Sequence, residues 1–173
     1  MTEPAEESPR ESQLWRFSLA LYALPDVAPA CLVLQDEAGV DVNLLLFLLF
    51  LATSRRQAAP EDVARLDQTV RAWREEVVKS LRALRRGLKT GIGDVPPASS
   101  ENFRAMIKRV ELEAERLEQR RLEEAGASMS FATAASREAA ARVNIATYGR
   151  FLGLALPEAS VATVLKGFQA SAG

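Results

Sequence analysis

The stretch that decides the fold runs from residue 60 to residue 88 and reads PEDVARLDQTVRAWREEVVKSLRALRRGL. Its apolar residues recur at alternating steps of three and four, which is the period of one face of an α-helix. A proline at the first helical position and two acids after it mark the start. The apolar seam comprises Val63, Leu66, Val70, Trp73 and Val77, and it resumes as Leu81, Leu84 and Leu88 after one extra residue. The stretch therefore predicts a single rod about 40 Å long.

A second long helix is expected to follow this rod. Residues 90–100, TGIGDVPPASS, are rich in Gly, Pro and Ser and predict an internal linker, after which Ser99 or Ser100 is expected to cap the next helix. That helix is expected to end near Gly126. Its predicted buried side carries Phe103, Ile107, Val110, Ala114 and Leu117. Because a short linker joins the two long helices, we predict a long antiparallel helical hairpin.

Shorter apolar segments on both sides of the hairpin predict further helices. Three lie between residues 12 and 52, and two follow Gly126, at about residues 133–152 and from Pro157 onward. The segment 42–51 is almost wholly apolar, so it should form a central helix, and no segment alternates convincingly as a strand does. We predict an all-α fold: a single-domain bundle of about seven helices over residues 12–170, preceded by a disordered tail at residues 1–11.

The composition excludes several classes of function. The chain has 173 residues, is 48% hydrophobic and 26% charged, and carries a net charge of −1. This balance is typical of a globular protein and gives no global attraction to nucleic acid. The absence of histidine removes the commonest catalytic base and zinc ligand, and the single cysteine, Cys31, cannot form an intramolecular disulfide. We therefore expect no metal and no cofactor, identify no catalytic residues, and lean against an enzyme.

The chain is expected to reside in the cytoplasm. Its longest apolar run, residues 44–52, has about half the length of a membrane-spanning helix. The acidic, polar start of the sequence has neither the basic nor the apolar region of a signal peptide. We expect no membrane association.

A candidate polar site in the core combines the acidic turn near residues 36–41 with aromatic and amide side chains. Acids at the end of a helix oppose its dipole at a cost of roughly 0.3–1 kcal/mol, so an arginine from another helix is expected to compensate. The alternative, that Asp41 is only a helix N-cap, stays open, as does a structural role for Asn43. The candidate residues are Trp15, Tyr22, Gln35, Asp36, Asp41, Asn43 and Tyr148.

A basic stripe on the rod is the second candidate site. It comprises Arg74, Lys79, Arg82, Arg85, Arg86 and Lys89. The last five fall within about 120° of helix arc, opposite the apolar seam. Three interpretations remain open: a solvated face that suits the helix dipole, a surface for an anion or RNA, and pairing with the acidic residues 111–124 of the next helix.

Several short segments also occur in a known family. They are Leu14-Trp15-Arg16-Phe17, Leu24-Pro25, Leu34-Gln35-Asp36, Gly39, Asp41-Val42-Asn43-Leu44-Leu45-Leu46-Phe47, Trp73-Arg74, Leu81-Arg82 and Leu112-Glu113. On these segments, residues 12–122 resemble an uncharacterised, largely proteobacterial family of small helical proteins labelled only as a domain of unknown function. The resemblance implies no activity, ligand or site.

Three functions follow as hypotheses. The first is a non-enzymatic helical interaction protein, an adaptor or regulator with an unknown protein partner. The second is a small-molecule site in the core, with catalysis by carboxylates left open. The third is binding of RNA or a ribonucleoprotein through the basic stripe, and the oligomeric state is not predicted.

Overall fold

The computed structural model describes residues 12–171, most of which are helical, so the expected tail at residues 1–11 lies outside the described residues. The helices are α1 (Gln13–Tyr22), α2 (Val27–Ala38), α3 (Val42–Thr53), α4 (Pro60–Trp73), α5 (Lys79–Thr90), α6 (Pro97–Ala127), α7 (Arg137–Leu152) and α8 (Glu158–Ala170). A π-helical segment, Arg74–Val78, joins α4 to α5 without a break. With this continuous rod counted once, the described residues form seven helices, which confirms the predicted all-α bundle.

The π-helical segment accounts for the extra residue in the apolar seam. A π turn accommodates one residue more than an α turn, so the rod can continue straight while its seam changes phase. The rod then packs along α6 in the opposite direction. Arg85 of α5 pairs with Glu111, whereas Trp73, earlier in the rod, contacts Ala114, later in α6. The predicted antiparallel hairpin is therefore confirmed.

The connection inside the hairpin is shorter than predicted. Helix α5 ends at Thr90 and α6 begins at Pro97, so only residues 91–96 lie outside the two helices. Pro96 occupies the N-cap position, and the Ser100 hydroxyl donates to the Pro97 carbonyl instead of capping the helix. A proline at the first helical position has the required φ and lacks an N–H that needs a partner, which explains the earlier start.

Two short strands were not predicted. β1 (Arg56–Gln57) pairs antiparallel with β2 (Ala132–Thr133), and α7 consequently starts at Arg137 instead of near residue 133. A ladder of two residues is too short to give a detectable alternation of apolar and polar side chains. Ser136 caps α7, its Oγ accepting a hydrogen bond from the Ala139 N–H at 3.0 Å.

Helix α3 lies at the centre of the bundle. Its leucines are buried on all sides, as its wholly apolar sequence predicts, and they belong to one cluster that collects side chains from α1 to α4 and from α6 to α8. At Gly126 the backbone of α6 approaches α3 so closely that a methyl group there would overlap the Phe47 ring. Among residues 12–171, no one helix is long and apolar enough to cross a membrane, although α1 and α2, bent by 102°, reach those limits as a pair.

The two ends of α2 differ in how their backbone groups are capped. Gly39 ends the helix with φ of 64°, a left-handed conformation that glycine adopts without strain. Asp26 holds the N-cap position, but its φ is also 64° and its side chain makes no capping hydrogen bond. The expected cap of α3 does form, because Asp41 Oδ1 accepts from the Asn43 N–H at 2.9 Å.

Helix α6 presents a different face to the core than its sequence suggested. Phe103 and Val110, expected to be buried, are 50% and 52% exposed, and Leu117 is 38% exposed. The buried positions instead include the polar residues Glu111, Glu118 and Gln119, together with Ser100, Leu122 and Gly126. Ala114 is buried as predicted. The polar side chains of α6 find hydrogen-bonding partners on α1, α3 and α5, and this fixes the helix in a rotation that its apolar residues alone would not favour.

Candidate ligand-binding cavity

A cavity of about 430 Å³ lies between α1, α2, α3, α5 and α6. Small-molecule sites in proteins commonly have volumes of roughly 300–1,000 Å³. The lining comprises aromatic and aliphatic walls, buried amides and one cluster of charged side chains. The residues are Trp15, Ser18, Leu19, Tyr22, Leu32, Gln35, Val42, Asn43, Leu46, Arg82, Arg85, Arg86, Lys108, Glu111, Leu112, Glu115 and Gln119.

A chain of hydrogen bonds forms the floor of the cavity. The Ser18 hydroxyl donates to Gln119 Oε1, the Gln119 amide donates to Asn43 Oδ1, and both distances are 2.9 Å. Asn43 Nδ2 in turn donates to Glu118 Oε2, also at 2.9 Å. Every donor in this network points toward Glu118. The network therefore determines which way the side-chain amides of Asn43 and Gln119 are oriented. The floor is thus an ordered polar surface in which Ser18 keeps oxygen lone pairs for a ligand.

The chain of hydrogen bonds ends at the carboxyl group of Glu118. This side chain is buried, and its Oε1 has no hydrogen-bond partner among residues 12–171. Burial, followed by the negative charge of Asp41, raises the pKa of Glu118 well above its usual range. A proton on Oε1 would turn this unpaired atom into a hydrogen-bond donor.

Asp41 and Tyr148 belong to a buried network behind the floor instead of to the cavity lining. The Asp41 N–H donates to the Tyr148 hydroxyl at 2.9 Å. Arg74 bridges Asp41 and Asp67, with Nη1 at 2.9 Å from an oxygen of each. Burial lowers the pKa of Arg74, but the charges and hydrogen bonds of the two acids more than offset burial and raise it above its ordinary value. Arg74 is therefore the partner of the acids at the start of α3 and in α4, whereas Asp36, the acid near the end of α2, pairs with Arg86.

Arg82 and Arg85 hold the hairpin together along one side of the cavity. Arg82 donates to Glu111 at 3.1 Å and to Glu115 at 2.6 Å, and Arg85 forms a two-pronged pair with Glu111. Burial acts to raise the pKa of Glu111, but the two arginines more than offset burial, so the pKa lies below its ordinary value. Burial raises the pKa of Glu115 despite Arg82. These pairs correspond to one of the three interpretations of the basic stripe that the sequence left open, its pairing with residues 111–124.

Two further cations line the outer part of the cavity and are less engaged. Arg86 is half-exposed and donates through Nη2 to Asp36 at 2.9 Å, which lowers the pKa of that acid. Lys108 has no ion pair with any carboxylate among residues 12–171. Their remaining N–H groups are free to bind an anion. Leu19, Leu32 and Leu112 are each about half-exposed and surround the same opening.

The cavity unites parts of the two candidate sites that the sequence suggested separately. From the polar group it takes Trp15, Tyr22, Gln35 and Asn43, and from the basic stripe it takes Arg82, Arg85 and Arg86. The remaining candidates stand outside the lining: Asp36, Asp41, Tyr148, Arg74, Lys79 and Lys89. Asp36 and Asp41 still contact lining residues, whereas Lys79 pairs with Glu75 on the rod at 2.8 Å.

Sequence reasoning missed Ser18 of α1 and most of the contribution of α6 to the cavity. Ser18, Lys108 and Gln119 were not candidates, and Glu111 and Glu115 were considered only as partners of the basic stripe. The α6 residues 108, 111, 115 and 119 recur at steps of three and four, so they share one helix face. This polar stripe could have identified the four residues from the sequence, if it had been compared with the apolar side chains on the same helix.

The chemistry available in the cavity is that of binding groups. Burial raises the pKa of Tyr22 well above its ordinary value, so the phenol stays neutral. Cys31 lies outside the lining, and burial raises the pKa of its thiol to about 12, which keeps it protonated. Among the described residues, no three cysteine or acidic side chains come together as metal ligands.

Comparison with known proteins assigns the chain to a family. A family model described as "Protein of unknown function (DUF2390)" matches residues 13–122, and the chain belongs to this family. The match covers all five helices that line the cavity up to Leu122, and it excludes α7 and α8. No curated protein and no solved structure matches the chain significantly.

Proposed function

We propose that this member of the family binds a small organic anion with a flat apolar body in the cavity between α1, α2, α3, α5 and α6. The observation that carries the proposal is the cavity itself, in which aromatic walls, a polar floor and a cationic side enclose one volume of about 430 Å³. A binding site of this kind combines a largely apolar surface with a few polar groups that fix orientation.

The charges favour an anion. Four cations and two carboxylates line the cavity, so its lining carries an excess of positive charge. Arg82 and Arg85 pair with the buried Glu111. Arg86 instead pairs with the exposed Asp36, and Lys108 has no ion pair within residues 12–171, so the acidic group of the ligand is expected to bind Arg86 and Lys108. Hydrogen bonds between two charged partners are stronger than neutral ones, and a guanidinium can bind a carboxylate through two parallel N–H groups.

The walls favour an apolar body. Trp15 and Tyr22 lie one to two turns apart on α1, and Leu46 of α3 closes the space between them and the floor. Aromatic side chains stack against flat ligands and contribute a large contact area. The half-exposed leucines around the opening form an apolar rim of the sort that marks interaction sites on protein surfaces.

The proposal includes a cytoplasmic location. Cys31 is a free thiol buried among apolar side chains, an arrangement common in proteins of reducing compartments.

Fluorescence of Trp15 tests the proposal directly. The chain has two tryptophans, so Trp73→Phe leaves Trp15 as the sole reporter. We expect 1-naphthoate to change the Trp15 emission saturably and to raise the melting temperature, while its uncharged amide binds more weakly. If naphthoate and a panel of other aromatic carboxylates and phosphates give no saturable change at millimolar concentration, the cavity does not bind this class of ligand.

A matched pair of double variants tests the cationic side. Arg86→Gln with Lys108→Gln removes the two available cations, and we expect the affinity for 1-naphthoate to fall about tenfold, or about 1.4 kcal/mol. Arg120→Gln with Arg121→Gln removes the same charge from the exposed side of α6, where, among residues 12–171, both pair only with Glu124. An equal loss in the two double variants would mean that general electrostatic attraction, and not the cavity, binds the anion.

A helical interaction protein, an adaptor or regulator, is a second candidate. Half-exposed apolar side chains on the hairpin, away from the cavity, favour it. Cross-linking in the host with a photoreactive residue at Met106, and with one at Leu154 as control, would identify a specific partner.

RNA binding stays a prediction with less support. Arg74, Lys79, Arg82, Arg85 and Arg86 all have carboxylate partners, and only Lys89 of the basic stripe lacks an ion pair among residues 12–171. An affinity for single-stranded RNA that falls steeply with added salt would favour this function instead.

A further inference from the structure

One face of α6 carries large apolar side chains that no part of residues 12–171 covers. Phe103, Met106, Val110 and Leu117 are between 38% and 52% exposed, and we call them the apolar stripe. At 100° per residue they fall within about 60° of helix arc, and Phe103, Val110 and Leu117 are spaced seven residues apart. Such a regular stripe differs from the scattered apolar residues of an ordinary surface, which need no explanation.

A small cavity lies at one end of the apolar stripe. It has a volume of about 240 Å³ and is lined by Thr69, Val70, Trp73, Leu117, Glu118 and Arg121, and we call it the socket. The Trp73 Nε1–H donates to the Ala114 carbonyl at 2.9 Å, which fixes the indole as one wall. A cavity of about 150 Å³ is known to hold benzene, so the socket has room for a phenyl ring.

We propose that two copies of the chain pair through α6, antiparallel, about a two-fold axis close to Val110. Phe103 precedes Val110 by seven residues and Leu117 follows it by seven, so each lies about 10 Å from the axis along the helix. The two-fold operation therefore places Phe103 of each copy at the socket of the other. A two-fold interface requires a patch that is complementary to itself, and a projecting ring at one end with a socket at the other meets this requirement.

The charges beside the apolar stripe also fit a second copy. Arg109 and Glu113 lie on the same edge of the stripe, one just before Val110 and the other just after it. The antiparallel arrangement brings Arg109 of one copy near Glu113 of the other, twice. Within residues 12–171, Arg109 has no ion pair, and Glu113 pairs only with the partly buried Arg116 of its own helix. This pattern of opposite charges is specific to self-pairing.

The pairing is independent of the proposed ligand. Lys108 and Leu112, which line the ligand-binding cavity, lie on the opposite side of α6 from Met106 and Val110. The dimer therefore leaves the cavity open, and each hypothesis can fail without the other.

Sedimentation velocity over a range of concentrations tests the proposal. We expect wild type to form dimers reversibly. Val110→Asp places two carboxylates at the axis and should raise the dimer dissociation constant at least about tenfold. Leu154→Asp replaces an equally exposed leucine outside the hairpin and should dimerise as wild type does. A wild type that stays monomeric up to about millimolar concentration, or a dimer that Val110→Asp leaves intact, overturns the proposal.

Charge reversal tests the orientation. Arg109→Glu gives a copy with two acidic residues on this edge, and Glu113→Arg gives a copy with two basic residues. Because like charges then face each other in the homodimer, each single variant should dimerise more weakly than wild type. Mixed in equal amounts, the two variants should form heterodimers more tightly than either forms homodimers, because every contact then joins opposite charges. If the heterodimers are no tighter than the homodimers of either variant, the antiparallel pairing is excluded. Thermal melts at a concentration where all forms are monomeric serve as the control for folding.

Discussion

Helices α3 and α6 meet at Phe47 and Gly126, but opposite kinds of side chain hold them in place. Helix α3 buries leucines on all sides and has one buried polar residue, Asn43, near its start. Helix α6 buries Glu111, Glu118 and Gln119 and leaves much of its apolar surface exposed. The hydrophobic effect positions α3 without directional contacts, whereas α6 is positioned by ion pairs and hydrogen bonds with fixed geometry.

The difference shows where the protein is built for stability and where it is built for specific contacts. Apolar burial stabilises in proportion to area, but a buried carboxylate is tolerated only when its partners are complete. Helices α1, α3 and α5 supply most of these partners to the polar face of α6, and Glu118 Oε1 is left without one among residues 12–171. The cavity lies where this polar face meets the apolar walls of α1 and α3, and the apolar stripe remains on the other side of the same helix.

The largest expected effect comes from truncating each helix at one apolar residue. Leu48→Ala in α3 should cost about 2–5 kcal/mol, because Leu48 is fully buried and its removal leaves a cavity. Val110→Ala in α6 should change the monomer's stability by no more than about 0.5 kcal/mol, since half of that side chain is already in water. Urea unfolding of both variants at a monomeric concentration measures the contrast. Equal losses would mean that the stripe on α6 is part of the core.

The contact between the two helices gives the next effect. Gly126→Ala should destabilise by about 1–3 kcal/mol, because the added methyl group overlaps the Phe47 ring in a packed interior. Gly87→Ala provides the control, since Gly87 lies inside α5 with only the flexible Ile92 side chain nearby, at 3.5 Å. There the better helix propensity of alanine should stabilise by about 0.5–1 kcal/mol. Thermal unfolding tests whether Gly126→Ala lowers the stability and Gly87→Ala raises it. If Gly126→Ala leaves the stability unchanged, α3 and α6 can separate freely.

The buried acid on α6 should make stability depend on pH. Glu118 keeps its proton in the folded state, whereas the unfolded chain loses it near pH 4.3. The folded state therefore binds more protons above that pH, so this group's contribution is full at low pH and is lost as the pH rises toward the raised folded pKa.

Glu118→Gln isolates that contribution. The amide can accept from Asn43 and offers a donor at its other position, as the protonated acid does, but it does not titrate. We expect the variant to exceed wild type in stability by about 1–2 kcal/mol at pH 8, and by less at pH 5. Guanidinium unfolding at several pH values measures the difference between the two curves. If the difference in stability between the variant and wild type does not change with pH, Glu118 is ionised in the folded protein.

The smallest effect is expected from the exposed acid at the cavity rim. Asp36 and Arg86 pair with both side chains about half in water, so Asp36→Asn should cost no more than about 0.5 kcal/mol at pH 7. Because the pair lowers the pKa of Asp36, this small contribution is present at neutral pH and disappears as the pH falls through the lowered pKa. Unfolding at pH 7 and pH 3 checks both statements. A loss comparable to that of Leu48→Ala would mean that the acidic turn organises the core.

The elements that the sequence predicted are those in which apolar periodicity and burial agree. The rod begins at Pro60, α3 is buried on all sides, and the extra residue in the seam corresponds to the π-helical segment. Helix α6 carries two stripes, one apolar and one polar, and periodicity cannot decide which of them meets the core. That choice depends on partners such as Ser18, Asn43 and Arg82, which come from distant parts of the chain.

The cavity was partly predictable for a related reason. Trp15, Tyr22 and Asn43 stand out as aromatic or polar side chains within apolar helices, and Arg82, Arg85 and Arg86 stand out as a stripe. The sequence alone does not show that these side chains line the same cavity, because this depends on how α5 lies across α1 and α2. Nothing in the sequence distinguishes Lys108 from the many other charged residues of α6.

The π-helical segment has a consequence for how this cavity could have arisen. Each residue added to a helix rotates everything after it by about 100° relative to everything before it. A chain one residue shorter within Arg74–Val78 would keep the α4 contacts and turn Arg82, Arg85 and Arg86 away from Glu111 and Glu115. A single inserted codon in an ancestral gene is thus enough to have carried three cations from one side of a helix to the side where the cavity lies.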